Sequence, residues 1–238
     1  MTNKRLYFLL PFRCIVFLLI FIIGSTVTGK TLKEISYIWS VAASAVNIVT
    51  ILLLVLIAKK NGGSYAQLIA YEKGKTKAKQ VIAMIFIVLL VGMGGMNIAG
   101  FICYGVIPYA PPMMIAPLPL PIAIINIALL PISTALAEEG LYLGCGVNQI
   151  NNKYAAVLIP AFFFALQHSF IPVLFDMRYI IYRFLSFLPL TIIICLHYHK
   201  RRNPLPIMVG HAVIDVATAG QILATSVVPG LYETMCGI

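Results

Sequence analysis

At 238 residues, 61% hydrophobic and only 10% charged, the chain lies far from a soluble globular domain, which averages about 45–50% and 25%. That composition excludes a water-soluble enzyme and predicts an all-α polytopic transmembrane bundle, one integral membrane domain over 1–238. The net charge of +10 points to a lipid bilayer and not to nucleic acid, because Lys and Arg gather at the ends of apolar runs, as topology signals do.

The apolar runs predict about seven spans (six to eight), roughly 6–24, 35–58, 81–107, 121–148, 153–171, 178–198 and 204–229. They are apolar throughout, unlike the alternating strands of a membrane barrel. The first run has the parts of a secretory signal, with Lys4 and Arg5 ahead of it and Gly24-Ser25 near a cleavage point. It is long for that purpose, and Pro11 and Arg13 interrupt it, so a retained span is expected. With the N-terminus inside, twelve Lys and Arg fall in cytoplasmic segments (Lys4, Arg5, Lys59, Lys60, Lys73, Lys75, Lys77, Lys79, Lys153, Lys200, Arg201, Arg202) and three outside (Lys30, Lys33, Arg178). The expected location is a prokaryotic cell membrane.

Residues 61–80 form the longest polar stretch and read as a solvated linker, or as a short helix on anionic lipid. The six prolines of 108–121 rule out a regular helix there and predict an extended crossing of the outer face. Five scattered cysteines without a C-x-x-C pair indicate neither a disulfide framework nor a zinc knuckle. Gly92, Gly94, Gly95, Gly140 and Gly144 stand at spacings that allow close helix approach. His197 and His199 flank a basic turn and decorate the interface.

Five ionisable residues lie inside apolar runs: Glu138 and Glu139 in the fourth span, His168 in the fifth, His211 and Asp215 in the seventh. Such a group in hydrocarbon costs about 2.5–3.5 kcal/mol even on the lenient insertion scale, so it faces a protein interior and marks function. His211 and Asp215, four apart, share a helix face. Glu138 and Glu139 are about 100° apart around their helix, so one faces a reaction centre while the other supports it. Singly, each has an ordinary reading as a packing, helix-bonding or interfacial residue. Together they supply what hydrolysis of a peptide bond needs: a base to activate water and donors for an oxyanion. At about 1.5 Å per residue, Glu138 lies roughly 15 Å, His211 roughly 10 Å and His168 roughly 22 Å from the inner ends of their spans, so they meet only if helices tilt or the fifth span starts later.

The segments Glu138-Glu139-Gly-Leu-Tyr-Leu143, Phe164-Ala-Leu-Gln-His168 and His211-Ala-Val-Ile-Asp215 resemble the EExxxR, FxxxH and HxxxN/D motifs of the CAAX endopeptidase and bacteriocin-processing (CPBP/Abi) family of intramembrane proteases. The resemblance covers about residues 121–220. It implies an endopeptidase acting on a small peptide or a membrane-associated protein near the cytoplasmic side, in bacteriocin or signal-peptide processing, self-immunity or CAAX-type cleavage. It further implies Glu138 as general base, His168 holding the water, and His211 with Asp215 at the scissile carbonyl. No cofactor is certain; a divalent metal such as zinc would take Glu138, His168, His211 and Asp215. The family's arginine is Leu143 here, with no basic residue nearby in sequence, so Glu139 lacks its expected partner. Two other functions fit the same residues: a non-catalytic immunity or scaffolding protein that keeps the pocket, and a proton-coupled transporter. The transporter lacks the internal repeat common in that class.

Overall fold

The computed structural model describes residues 6–107 and 111–237. After a 3-10 turn at Leu6–Leu9 come α1 (Phe12–Thr28), α2 (Leu32–Ser36), α3 (Trp39–Lys60), α4 (Tyr65–Leu68) and α5 (Ala78–Tyr104). A second 3-10 turn, Pro112–Ile115, leads to α6 (Leu120–Glu139), which continues as a π-helix over Gly140–Val147. Then follow α7 (Ala155–His168), α8 (Met177–Arg201), α9 (Leu205–Val227) and α10 (Leu231–Cys236). Six of the described helices are long and apolar enough to cross a membrane. Their outer faces carry bare apolar side chains such as Leu52, Phe86, Leu90 and Ile132, as a bilayer solvent favours.

The predicted fifth span falls short. α7 has 14 residues, about 21 Å against a hydrocarbon core of about 30 Å. Its chain turns back inside the protein, with Ser169, Ile171 and Val173 buried. Irregular backbone at that depth survives only where protein satisfies it, and Arg183 of α8 does so. Its Nε donates to the His168 carbonyl (3.2 Å) and its Nη2 to that of Ile171 (3.1 Å).

α7 packs on α8, α6 on α9 and α3, and α5 on both α8 and α9. Glycine sets the last approach: a Cβ on Gly95 would lie 2.4 Å from the Ser186 carbonyl oxygen, and one on Gly92 2.9 Å from Ile214 Cδ1. One end of the bundle gathers the basic loops. There Asn148 Nδ2 donates to the Leu68 carbonyl (2.8 Å), Tyr198 Oη to that of Ile69 (2.8 Å), and Thr76 Oγ1 to Asn203 Oδ1 (2.9 Å). The stretch 61–80 is therefore neither a free linker nor a lipid-surface helix throughout. Ser64 and Gln67 cap α4 reciprocally, and Leu68 and Ile69 are buried, drawn in by apolar area that water would expose.

The proline-rich segment also differs from a surface crossing. Residues 108–110 lie outside the described residues, and Ile115, Ala116 and Leu118 are buried. It is pinned to α9 at the opposite end of the bundle, Thr225 Oγ1 donating to the Ile115 carbonyl (2.8 Å) and Leu118 N to Ser226 Oγ (2.9 Å). The cysteines of the described residues are all free. Two large apolar clusters result, beside a small one of Ala99, Tyr179 and Tyr182. One, at the basic end, joins Leu10, Leu54, Met84, Leu143, Phe164 and Tyr198; the other, at the opposite end, joins Phe17, Trp39, Val46, Leu130, Ile171 and Ile222. A polar layer lies where they meet.

Candidate active site

That layer holds Glu138, Glu139, His168 and His211, all buried, with the Asp215 side chain about one-fifth exposed. Glu138 and Glu139 close α6, and the wider π turn starts directly after them; such turns concentrate at functional sites. The turn fits because it is glycine-rich. A Cβ on Gly140 would sit 2.7 Å from Leu54 Cδ1, and one on Gly146 2.8 Å from Pro160 Cγ.

His168 is the last residue of α7. Its Nδ1 donates to the Phe164 carbonyl one turn back (2.8 Å), since a carbonyl can only accept, so the neutral ring keeps its lone pair on Nε2. The ring stacks on Phe187 of α8 at 3.7 Å between centroids. Nε2 then faces Glu138 Oε2 at 3.9 Å. His211 Nε2 stands 3.8 Å from the same oxygen and 3.8 Å from Asp215 Oδ2. His211 Nδ1 lies 2.8 Å from Glu139 Oε1. The imidazole of His211 thus reconciles the 100° between the two glutamates, bonding Glu139 through Nδ1 and facing Glu138 with Nε2. Glu139, expected to lack a partner, has His211.

Sequence proximity offers no substitute for Leu143, which is fully buried among apolar side chains, yet space does. Arg13 of α1, with no exposed surface, puts Nη2 2.9 Å from Glu138 Oε1. Its Nε donates to Gln167 Oε1 (2.6 Å) and its Nη1 to Thr50 Oγ1 (3.2 Å). Gln167 Oε1 also accepts from Tyr142 Oη (3.0 Å). Charge balance in the apolar runs was the available signal: Arg13 and Arg183 were the two cations within spans, and each required a buried acceptor. Asn47, bonding Ser133 Oγ (3.1 Å) and Thr134 Oγ1 (2.9 Å), gave no comparable signal.

Arg13, Asn47, Glu138, His168, His211 and Asp215 line a cavity of about 140 Å³. Arg13, Glu138 and Phe164 form its inner part. From there it runs past Asp215 to Trp39, Met114 and the exposed Gln221, towards the end opposite the basic loops. Glu138 Oε2 and Asp215 Oδ2 are buried and accept no hydrogen bond from a protein group. Leaving such an oxygen unpaired costs about 1–3 kcal/mol, so each calls for a donor. Among the described residues no three His, Cys, Asp or Glu side chains are arranged to hold a metal ion. Zinc donors at about 2.0–2.1 Å stand about 3.4 Å apart in a tetrahedron, closer than the 3.8–3.9 Å separations observed.

Glu138, His168, His211 and Asp215 face one cavity inside a bundle of long apolar helices. Residues 120–217 match the family model described as Rce1-like, type II CAAX prenyl endopeptidase, the CPBP/CAAX protease family that the three motifs resemble. The match takes in all five sequence-predicted site residues, while Arg13 and α1 to α5 lie outside it. No curated protein and no solved structure matches the chain.

Proposed function

We propose that the protein is an intramembrane endopeptidase that hydrolyses a peptide bond with a water activated by Glu138. The observation that carries this is Glu138 Oε2, an unpaired acceptor 3.9 Å from His168 Nε2 and 3.8 Å from His211 Nε2. A water with hydrogen bonds of about 2.8 Å bridges Oε2 and His168 Nε2, giving a proton to each and aiming its lone pair outward. Its oxygen adds to the scissile carbonyl as Glu138 takes one proton. The C–N bond then breaks, and that proton passes to the departing amine. His211 donates to the oxyanion through Nε2 when both its nitrogens carry protons, Glu139 accepting from Nδ1. Asp215, 3.8 Å from Nε2, holds that ring edge. These steps are written without a metal because separations of 3.8–3.9 Å between Glu138 Oε2 and the two imidazole nitrogens suit a bridging water.

In this reading the N-terminus is cytoplasmic and the bilayer that of a prokaryotic cell, with ten described basic loop residues at one end against Lys30, Lys33 and Arg178 at the other. The cavity then opens on the outer side, in place of the cytoplasmic side expected from sequence. The substrate is a small peptide or a membrane-protein tail, in bacteriocin or signal-peptide maturation, self-immunity or CAAX-type cleavage. Purified protein in liposomes, incubated with internally quenched peptides including a farnesylated CAAX peptide, should yield a defined cleavage product by mass spectrometry. Absence of any hydrolysis across such a set, by folded protein, overturns the reading.

A further inference from the structure

Arg13 comes from outside the segment matched to the family, yet it makes the only described ion pair between a guanidinium and a site carboxylate. We infer that Arg13 is a positioning residue for the hydrolysis: it fixes the rotamer of Glu138 and so aims the water-activating oxygen. The inference rests on the proteolytic reading above.

Glu138 has two oxygens with different tasks. Oε1 is held by Arg13 Nη2 at 2.9 Å, and that contact leaves Oε2 turned to the two histidines. A carboxylate at the end of three side-chain bonds keeps one orientation only if something holds it. No other described side chain donates to Oε1. Arg13 is itself held, which a lone surface arginine would not be. Thr50 of α3 receives Nη1, and Gln167 of α7 receives Nε. Gln167 directly precedes His168, so one guanidinium registers Glu138 and the base of the His168 ring against each other. The Phe17 ring, one turn along α1, lies with its centroid 5.1 Å from the guanidinium carbon. At Leu143, where the family motif has its arginine, the chain has an apolar core side chain instead. α1 therefore supplies from another helix a cation that α6 does not carry.

Misplacing a reacting group by about 1 Å costs on the order of 10²-fold. Arg13→Gln removes the charge and the reach to Glu138 and Thr50, while its amide keeps a donor near the position of Nε for Gln167. Steady-state cleavage of the quenched farnesylated peptide by folded protein should show kcat about 100-fold lower with KM within about 2-fold. Arg13→Lys, which keeps the cation, should return kcat to within about 10-fold of the parent. A purely structural role would lower folded yield and melting temperature but leave kcat per folded molecule unchanged. An Arg13→Gln kcat within about 3-fold of the parent, or a Lys variant no better than Gln, overturns the inference.

A second readout needs no turnover. Reaction of Glu138 with a hydrophobic carbodiimide, followed by mass spectrometry, should be at least about 10-fold faster in Arg13→Gln than in the parent or Arg13→Lys. Equal labelling overturns the positioning role even if no peptide is cleaved. Faster labelling without cleavage by the parent overturns the proteolytic reading alone.

Discussion

Replacing Arg183 by Met removes the cap on α7 while keeping an apolar stem of similar length. The Ile171 carbonyl, in a buried turn, loses its Arg183 partner at 3.1 Å. The His168 carbonyl keeps only a longer bond from Ile171 N at 3.3 Å. An orphaned buried carbonyl costs about 1–3 kcal/mol and a lost second bond about 0.5–1.5 kcal/mol. The guanidinium also sits 4.9 Å from the Phe187 ring centroid, worth about 0.5–2 kcal/mol. Relief from burying a cation offsets part of this, leaving a loss of about 2 kcal/mol. For a chain of this size that is a melting temperature lower by roughly 4–8 °C. The damage falls on the end of α7 that carries His168, so kcat should also fall, by about 10- to 100-fold. Thermal unfolding in detergent followed by intrinsic fluorescence, paired with peptide cleavage on the folded fraction, measures both. An Arg183→Met protein with unchanged melting temperature and unchanged kcat refutes the internal ending of α7 as an energetic feature.

Gly95→Ala, whose new methyl would press 2.4 Å from the Ser186 carbonyl oxygen, should cost about 1–3 kcal/mol as α5 and α8 are forced apart, read from the same unfolding curves; Gly94→Ala, with open space around it, should leave them unchanged. Chelation with EDTA or phenanthroline should leave cleavage within about 2-fold, because the donor separations suit water better than zinc; loss that zinc restores contradicts the water-only route. In a background without Cys103 and Cys236, both partly exposed, Gln221→Cys should react with a membrane-impermeant maleimide applied to intact cells. Labelling confined to inverted vesicles reverses the orientation of the cavity.

How far the sequence reaches depends on the kind of interaction. Spans are legible because hydrocarbon admits little but long apolar helices, and Glu138, Glu139, His168, His211 and Asp215 stand out because each is costly there. That Arg13 takes up Glu138 is illegible, since 125 positions separate them and only helix packing makes them neighbours. The same holds for α7: FFFALQHSFIPV reads as a continuing span, and only the distant Arg183 allows its backbone to turn inside the protein. The π turn after Glu139 is likewise invisible in hydropathy, although its glycines are not. Residues 64–71 misled because Leu68 and Ile69 are too few to register as a core-facing element, yet both are buried against the π-helix.

The proposed hydrolysis depends on Glu138 delivering the water. Single-turnover cleavage of one peptide by parent and Glu138→Gln proteins, reconstituted in the same liposomes at equal folded amounts, is the most direct measurement. A loss of at least about 100-fold with substrate binding retained is predicted, as for removal of a general base. Cleavage by Glu138→Gln at the parent rate contradicts it.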